Sequence, residues 1–203
     1  MDATTEGRAY DGGWWGKNAA ILKVLFRVSF GLIWLIDGAF KFAPGLVDQF
    51  PGMIPVDGQP GYLSGWFNFW QDQANTNAAF WVYSTGVLEL ALGLGLIFGF
   101  MRKVAYLGGA LLSLFIWAVP EGFGGPYGTG STDLGGGIVY AMVFLMLIVI
   151  NATYGASRWS LDYWIEQHFP SWAKIAEFRG TPTGVSEKVS KGAGPSTPAG
   201  SQA

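Results

Sequence analysis

The stretch AAFWVYSTGVLELALGLGLIFGF, residues 78–100, decides how this chain folds. It has no proline and one charged residue, Glu89, near its middle. A helix needs about 20 mostly apolar residues to cross the hydrocarbon core of a bilayer, and 78–100 meets that length. Three further stretches read the same way: Ala19–Phe42, Val104–Val119, which Pro120 stops, and Gly136–Tyr154. Any one of them alone also suits a buried helix of a soluble core. Four of them need a polar coat that this chain lacks. Of its 203 residues 50% are hydrophobic and 13% are charged, against roughly 25% charged in soluble domains. The expected fold is an all-α, four-helix transmembrane bundle over residues 19–154.

The bilayer itself is then the first partner, and a cell membrane the expected location, with a multi-pass topology. Lys and Arg set the orientation. Arg8, Lys17 and Lys23 lie on the N-terminal side, Arg102 and Lys103 in the turn between spans two and three, and Arg158, Lys174, Arg179, Lys188 and Lys191 after span four. The connections 43–77 and 120–135 contain neither Lys nor Arg. Both termini are therefore expected in the cytoplasm and these two connections outside. Residues 1–18 form a polar cytoplasmic segment without the shape of a signal peptide, because Asp2, Glu6 and Asp11 interrupt its basic residues. Residues 180–203 contain no Trp, Tyr, Phe, Leu or Ile. Such a tail is expected to be disordered, because it has too little apolar surface to order itself.

Two segments suit amphipathic helices at the membrane surface. Prolines 44, 51, 55 and 60 prevent a continuous helix early in the first outer connection. Tyr62, Leu63, Trp66, Phe67 and Trp70 then recur at helical spacing, which suits either a lid or a plain interfacial anchor. After span four, residues 155–179 read as a cytoplasmic interfacial helix broken at Pro170. Leu161, Trp164, Ile165, His168, Trp172 and Ile175 form its stripe, with Asp162, Glu166, Lys174 and Glu177 off it. His168 in that stripe reads as a packed or interfacial side chain.

Composition narrows the chemistry. There is no Cys and one His, so disulfides, thiolate metal sites, iron–sulfur clusters and bis-His haem within this chain are excluded. No metal is expected. The net charge of −2 gives no basic surface for nucleic acid. What remains is a set of ionisable residues inside spans, which are costly there and mark functional sites by default. Asp37 and Lys41 are four apart on one face of span one, in the favourable acid-first order. Glu89 must face the bundle interior, be protonated, or meet a cation or hydroxyl donor, with Lys41, Tyr106, Ser113 and Tyr140 as candidates. Arg27 is expected to snorkel toward the cytoplasmic surface.

The second outer connection is unusually rich in glycine, with eight glycines among the 18 residues 120–137. Its acids, Glu121 and Asp133, flank the mouth of spans three and four, and Asp133 suits the cap of span four. Asp37, Lys41, Glu89, Glu121 and Asp133 all fall between midplane and outer surface. Together they suggest a polar outer cavity edged by Trp34, Trp117, Phe123 and Tyr127. Gly95-x-x-x-Gly99 and Gly109-x-x-x-Ser113 offer close helix contacts, within the bundle or in a homo-oligomer.

Several of these segments resemble the DoxX/DoxD family. They are FGLIWLIDGAFKF (30–42) followed by Pro44-Gly45, the acidic second span around Glu89 with its Arg102-Lys103 turn, and WAVPEGFGGPY (117–127) followed by Thr132-Asp133. The resemblance covers roughly residues 15–178. It implies a four-helix membrane subunit of a redox system, as in thiosulfate:quinone oxidoreductase, with a second redox subunit as partner. Quinone needs an apolar slot with a few hydrogen-bonding groups and no Cys or His ligand. On this reading Glu89, Asp37 and Lys41 form the reactive polar set. Trp34, Trp117, Glu121, Tyr127 and Asp133 line the cofactor site. Thiosulfate itself is a poor fit for outer loops without Lys or Arg. A non-enzymatic scaffold docking partners through 158–178, and a small transporter, remain the alternatives.

Overall fold

The computed structural model describes residues 13–125 and 133–179, without the side chains of residues 13 and 15–17. The expected tail 180–203, residues 1–12 of the N-terminal segment and Tyr127 lie outside these described residues. Every regular element among them is helical: α1 (Gly13–Phe40), α2 (Leu46–Gln49), α3 (Ser64–Phe98), α4 (Arg102–Ala118), α5 (Gly136–Tyr154), α6 (Leu161–His168) and α7 (Ala173–Ala176). Three of them, within Asn18–Phe40, Gly61–Phe98 and Gly136–Tyr154, are long and apolar enough to cross a membrane. The fourth long helix, α4, has 17 residues, about 25 Å at 1.5 Å per residue.

The four long helices share one core. Phe30 and Trp34 of α1, Leu92 and Leu96 of α3, Tyr106 of α4, and Phe144 and Leu147 of α5 are all buried in it. The remaining faces carry apolar side chains outward, such as Leu32, Val87, Leu111 and Met146, as suits helices surrounded by lipid. Glycines set the spacing. A Cβ on Gly31 would lie 2.9 Å from the Gly93 carbonyl oxygen, and one on Gly93 would lie 2.8 Å from the Leu35 nitrogen. The backbones of α1 and α3 therefore touch. Gly109 likewise lies under the Phe144 ring and Gly137 under the Ser113 carbonyl, which draws α4 onto α5. Gly95 and Gly99 have another task than helix packing. They close the end of α3, with Gly99 left-handed at φ 64° and Phe100 N donating to Gly95 O.

The amphipathic segment before span two is helical, as expected, and a kink divides it from the span. It is the first arm of α3, which bends at Asn77 (φ −130°, ψ 30°). That arm buries Phe67, Trp70 and Ala74 with Ile54 and Val119 in a second apolar cluster, at the end of the long helices termed the lid end. Trp66 Nε1 ties it to the Ala118 carbonyl at 2.9 Å.

The opposite end is organised around a buried cluster of charges. α6 and α7 form as predicted, broken at Pro170, and α6 keeps Leu161 and Trp164 of its apolar stripe outward, as suits an interfacial helix. Its acids Asp162 and Glu166 are buried, as is Glu177 just after α7, whereas Leu161, Trp164 and His168 are exposed. The reason is Arg102, itself buried at the start of α4. Its guanidinium meets Asp162 at 2.9 Å, Glu166 at 3.6 Å and Glu177, and donates to Asn151 Oδ1 at 2.9 Å. Asp162 also accepts from the backbone N–H of Met101 and Arg102, and so serves as a distant N-terminal cap for α4. Arg27 does not snorkel. It is buried and donates to the Trp159 carbonyl at 3.0 Å, which fastens the same segment to α1.

Removing one partner of a buried ion cluster strands the others and costs about 3–5 kcal/mol. Arg102→Met is therefore expected to release 155–179 from the bundle. Thermal unfolding in detergent should move sharply down, and limited proteolysis should cut within that segment. Proteolysis unchanged from wild type would contradict the role assigned to Arg102.

Candidate functional site

The close approach of α1 and α3 has a chemical consequence at the lid end. A Cβ on Gly38 would lie 2.8 Å from the Leu90 nitrogen, and one on Gly86 would lie 2.7 Å from Lys41 Cβ. With no side chains between the two backbones, Lys41 reaches across. Its Nζ stands 3.2 Å from Glu89 Oε2. Glu89 is 1% exposed, whereas the Lys41 side chain keeps 29% of its surface exposed. The pairing expected along α1, Asp37 with Lys41, gives way to this one between helices. Among the other partners foreseen for Glu89, Ser113 donates its hydroxyl to the Gly109 carbonyl at 2.7 Å. Tyr106 lies at the other end, beside Arg27 and Arg102.

The pair opens on a cavity of about 630 Å³. Asp37, Lys41, Glu89 and Glu121 supply its charged groups, with Thr85, Ser113 and Tyr140 as neutral polar neighbours. Trp34, Phe40, Trp81, Phe115 and Ile116 supply much of its apolar wall. Trp34 is clamped by Phe30, Tyr140 and Phe144, at ring-centroid distances of 6.2, 5.6 and 5.7 Å. The volume lies within the usual range of roughly 300–1,000 Å³ for small-molecule sites.

The described ends of the glycine-rich connection, 120–125 and 133–137, pack against each other beside the cavity. A Cβ on Gly124 would collide with the Leu134 carbonyl, and one on Gly135 (φ +87°) would lie 2.5 Å from Glu121 Oε2. Glu121, rather than Asp133, caps span four. Its Oε2 accepts from Gly137 N at 2.8 Å, while Asp133 accepts from Gly135 N in the turn before the helix. A carboxylate at a helix N-terminus is stabilised by the unpaired N–H groups there. Trp117 stands outside the cavity lining, donating to the Leu134 carbonyl at 2.7 Å and packed edge-on against Phe123.

The structure thus gathers Trp34, Asp37, Lys41, Glu89 and Glu121 around one space and leaves Trp117 and Asp133 to support the loop beside it. Trp81, Phe115 and Thr85 join the lining without having been foreseen. Trp81 and Thr85 lie one to two turns from Glu89 on the same helix, a spacing that was available to pick them out. Among the described residues no cluster of His, Asp and Glu is arranged to hold a metal ion.

The glycine seam makes a direct prediction. Gly93→Val drives a branched side chain against the backbone of α1, and overpacking of this kind costs about 1–3 kcal/mol. Its melting temperature in detergent should fall. Gly108→Ala, where a Cβ meets nothing within 4 Å, should leave it level or slightly raised. Equal behaviour of the two variants would contradict the seam.

Residues 22–121, which include α3, most of α1 and α4, and Asp37, Lys41, Glu89 and Glu121, match the DoxX family model. The match supports membership of the DoxX family. No curated protein and no solved structure matches the chain.

Proposed function

We propose that this DoxX-family membrane protein is the quinone-interacting subunit of a redox system, of the thiosulfate:quinone oxidoreductase kind. The observation that carries this reading is the lid-end cavity, with its aromatic wall and the buried Lys41–Glu89 pair. A quinone headgroup is a flat apolar ring with two carbonyl oxygens. It asks for aromatic walls, a hydrogen-bond donor and a group that exchanges protons. Lys41 donates, Glu89 exchanges the proton, and Asp37 stands on the same wall. Electrons come from a partner subunit on this reading, because a chain without Cys and with one His holds no iron–sulfur cluster, thiolate metal site or bis-His haem.

On this reading α4 crosses the membrane with the other three long helices, and both termini face the cytoplasm. The connections without Lys or Arg, at the lid end, then face outward. Thiosulfate is not the ligand of the cavity. Three carboxylates, Asp37, Glu89 and Glu121, line it, and its lysine is engaged by Glu89. A dianion meets net repulsion there, so the donor's site belongs to the partner.

Short-chain quinone added to the detergent-solubilised full chain should quench tryptophan fluorescence saturably. Losing a charged hydrogen-bond partner costs about 1.5–3 kcal/mol, so Glu89→Gln is expected to weaken binding about 10- to 100-fold. Quenching that never saturates, or an unchanged affinity in Glu89→Gln, would sink the proposal.

A further inference from the structure

We propose that the segment 155–179 is a docking surface for anionic phospholipid headgroups. The inference is independent of the cavity's ligand and rests on how the fold sorts charge. By sequence the segment is nearly balanced, with Asp162, Glu166 and Glu177 against Arg158, Lys174 and Arg179. In the structure each of the three acids is at most 2% exposed, turned inward with Arg102. Arg158, Lys174 and Arg179 are all exposed. The acids are thus withdrawn, and the surface left behind is basic.

That surface is also aromatic. Trp159, Trp164 and Phe169 are 59%, 53% and 66% exposed. Two contacts hold part of it in shape: Trp164 Nε1 donates to the Arg158 carbonyl at 3.0 Å, and the Arg158 guanidinium lies 5.4 Å from the Trp159 ring centroid. The segment directly follows Tyr154, the last residue of the apolar helix α5, so it lies where a membrane span ends. Tryptophans at that level settle among headgroups, and each exposed Lys or Arg adds attraction to an anionic leaflet. A zwitterionic interface accepts the tryptophans and gains little from the three cations. Charge complementarity therefore selects phosphatidylglycerol-like lipids.

The test uses the full chain in mild detergent, offered equal amounts of phosphatidylglycerol and phosphatidylcholine, with bound lipid read by native mass spectrometry. The wild type is expected to retain phosphatidylglycerol preferentially. In R158Q/K174Q/R179Q the preference should fall about tenfold or more. These side chains are exposed, so the variant should fold; should it not, salt decides the matter on the wild type. Raising salt to about 1 M, where screening shortens to about 3 Å, should abolish the preference for phosphatidylglycerol and leave phosphatidylcholine unaffected. Equal retention of the two lipids by the wild type, a preference unchanged in the folded variant, or a preference insensitive to salt would overturn the proposal.

Discussion

A carboxylate sealed among apolar helices has to be met by a cation or a proton, and much of this structure follows from how Glu89 meets Lys41. Glu89 sits on α3 and Lys41 in the turn just after α1, and the pair runs across the space between the two helices. That geometry needs α1 and α3 to touch backbone to backbone, which Gly31, Gly38, Gly86 and Gly93 allow. In lipid there is no hydrophobic drive between helices, so small residues and polar contacts bring them together. Here the two act at one place. The glycines permit the approach, and the ion pair makes a wrong rotation of either helix costly. The same approach leaves a space between α1, α3, α4 and α5 that the side chains do not fill.

The two ends of the molecule handle charge differently. At the basic end, Arg102 is enclosed by Asp162, Glu166, Glu177 and Asn151, so that end is built for closure. At the lid end, Lys41 keeps part of its surface free beside a cavity, so that end is built for access. Both use a carboxylate from elsewhere in the chain to cap a long helix: Asp162 on α4 and Glu121 on α5. Such distant caps tie loop position to helix position. The lid-side loop cannot leave without uncapping α5.

The long apolar helices were legible because lipid demands contiguous apolar length, and that is written in single stretches. Span four matches at both ends, and Glu89 stood out because a lone acid in such a stretch has no local partner. Lys41 was legible as a candidate partner of Glu89, but the choice between Glu89 and Asp37 was not. Helix periodicity offers Asp37, four residues away, and the competing partner lies on another helix whose approach depends on glycines 31 and 93. The apolar stripe of α6 was legible, and Leu161 and Trp164 lie outward as in an interfacial helix. Periodicity could not show that Asp162 and Glu166, off that stripe, are buried against Arg102. Burying apolar area gains little at a membrane surface, whereas leaving Arg102 unpaired costs several kcal/mol. Asp133 lost the capping role to Glu121 for want of reach, since it is spent on the turn at Gly135.

Function rests on the cavity, and the quinone reading stands or falls with what enters it. A photoreactive quinone bound to the full chain in lipid, crosslinked by light and mapped by peptide mass spectrometry, reads the occupant's position directly. Labels that excess unmodified quinone suppresses should fall on peptides containing Trp34–Lys41, Trp81–Glu89 and the α4 residues around Ser113–Ile116. Labels spread over the lipid-facing surface, or not suppressed by competition, would contradict a quinone site between these helices.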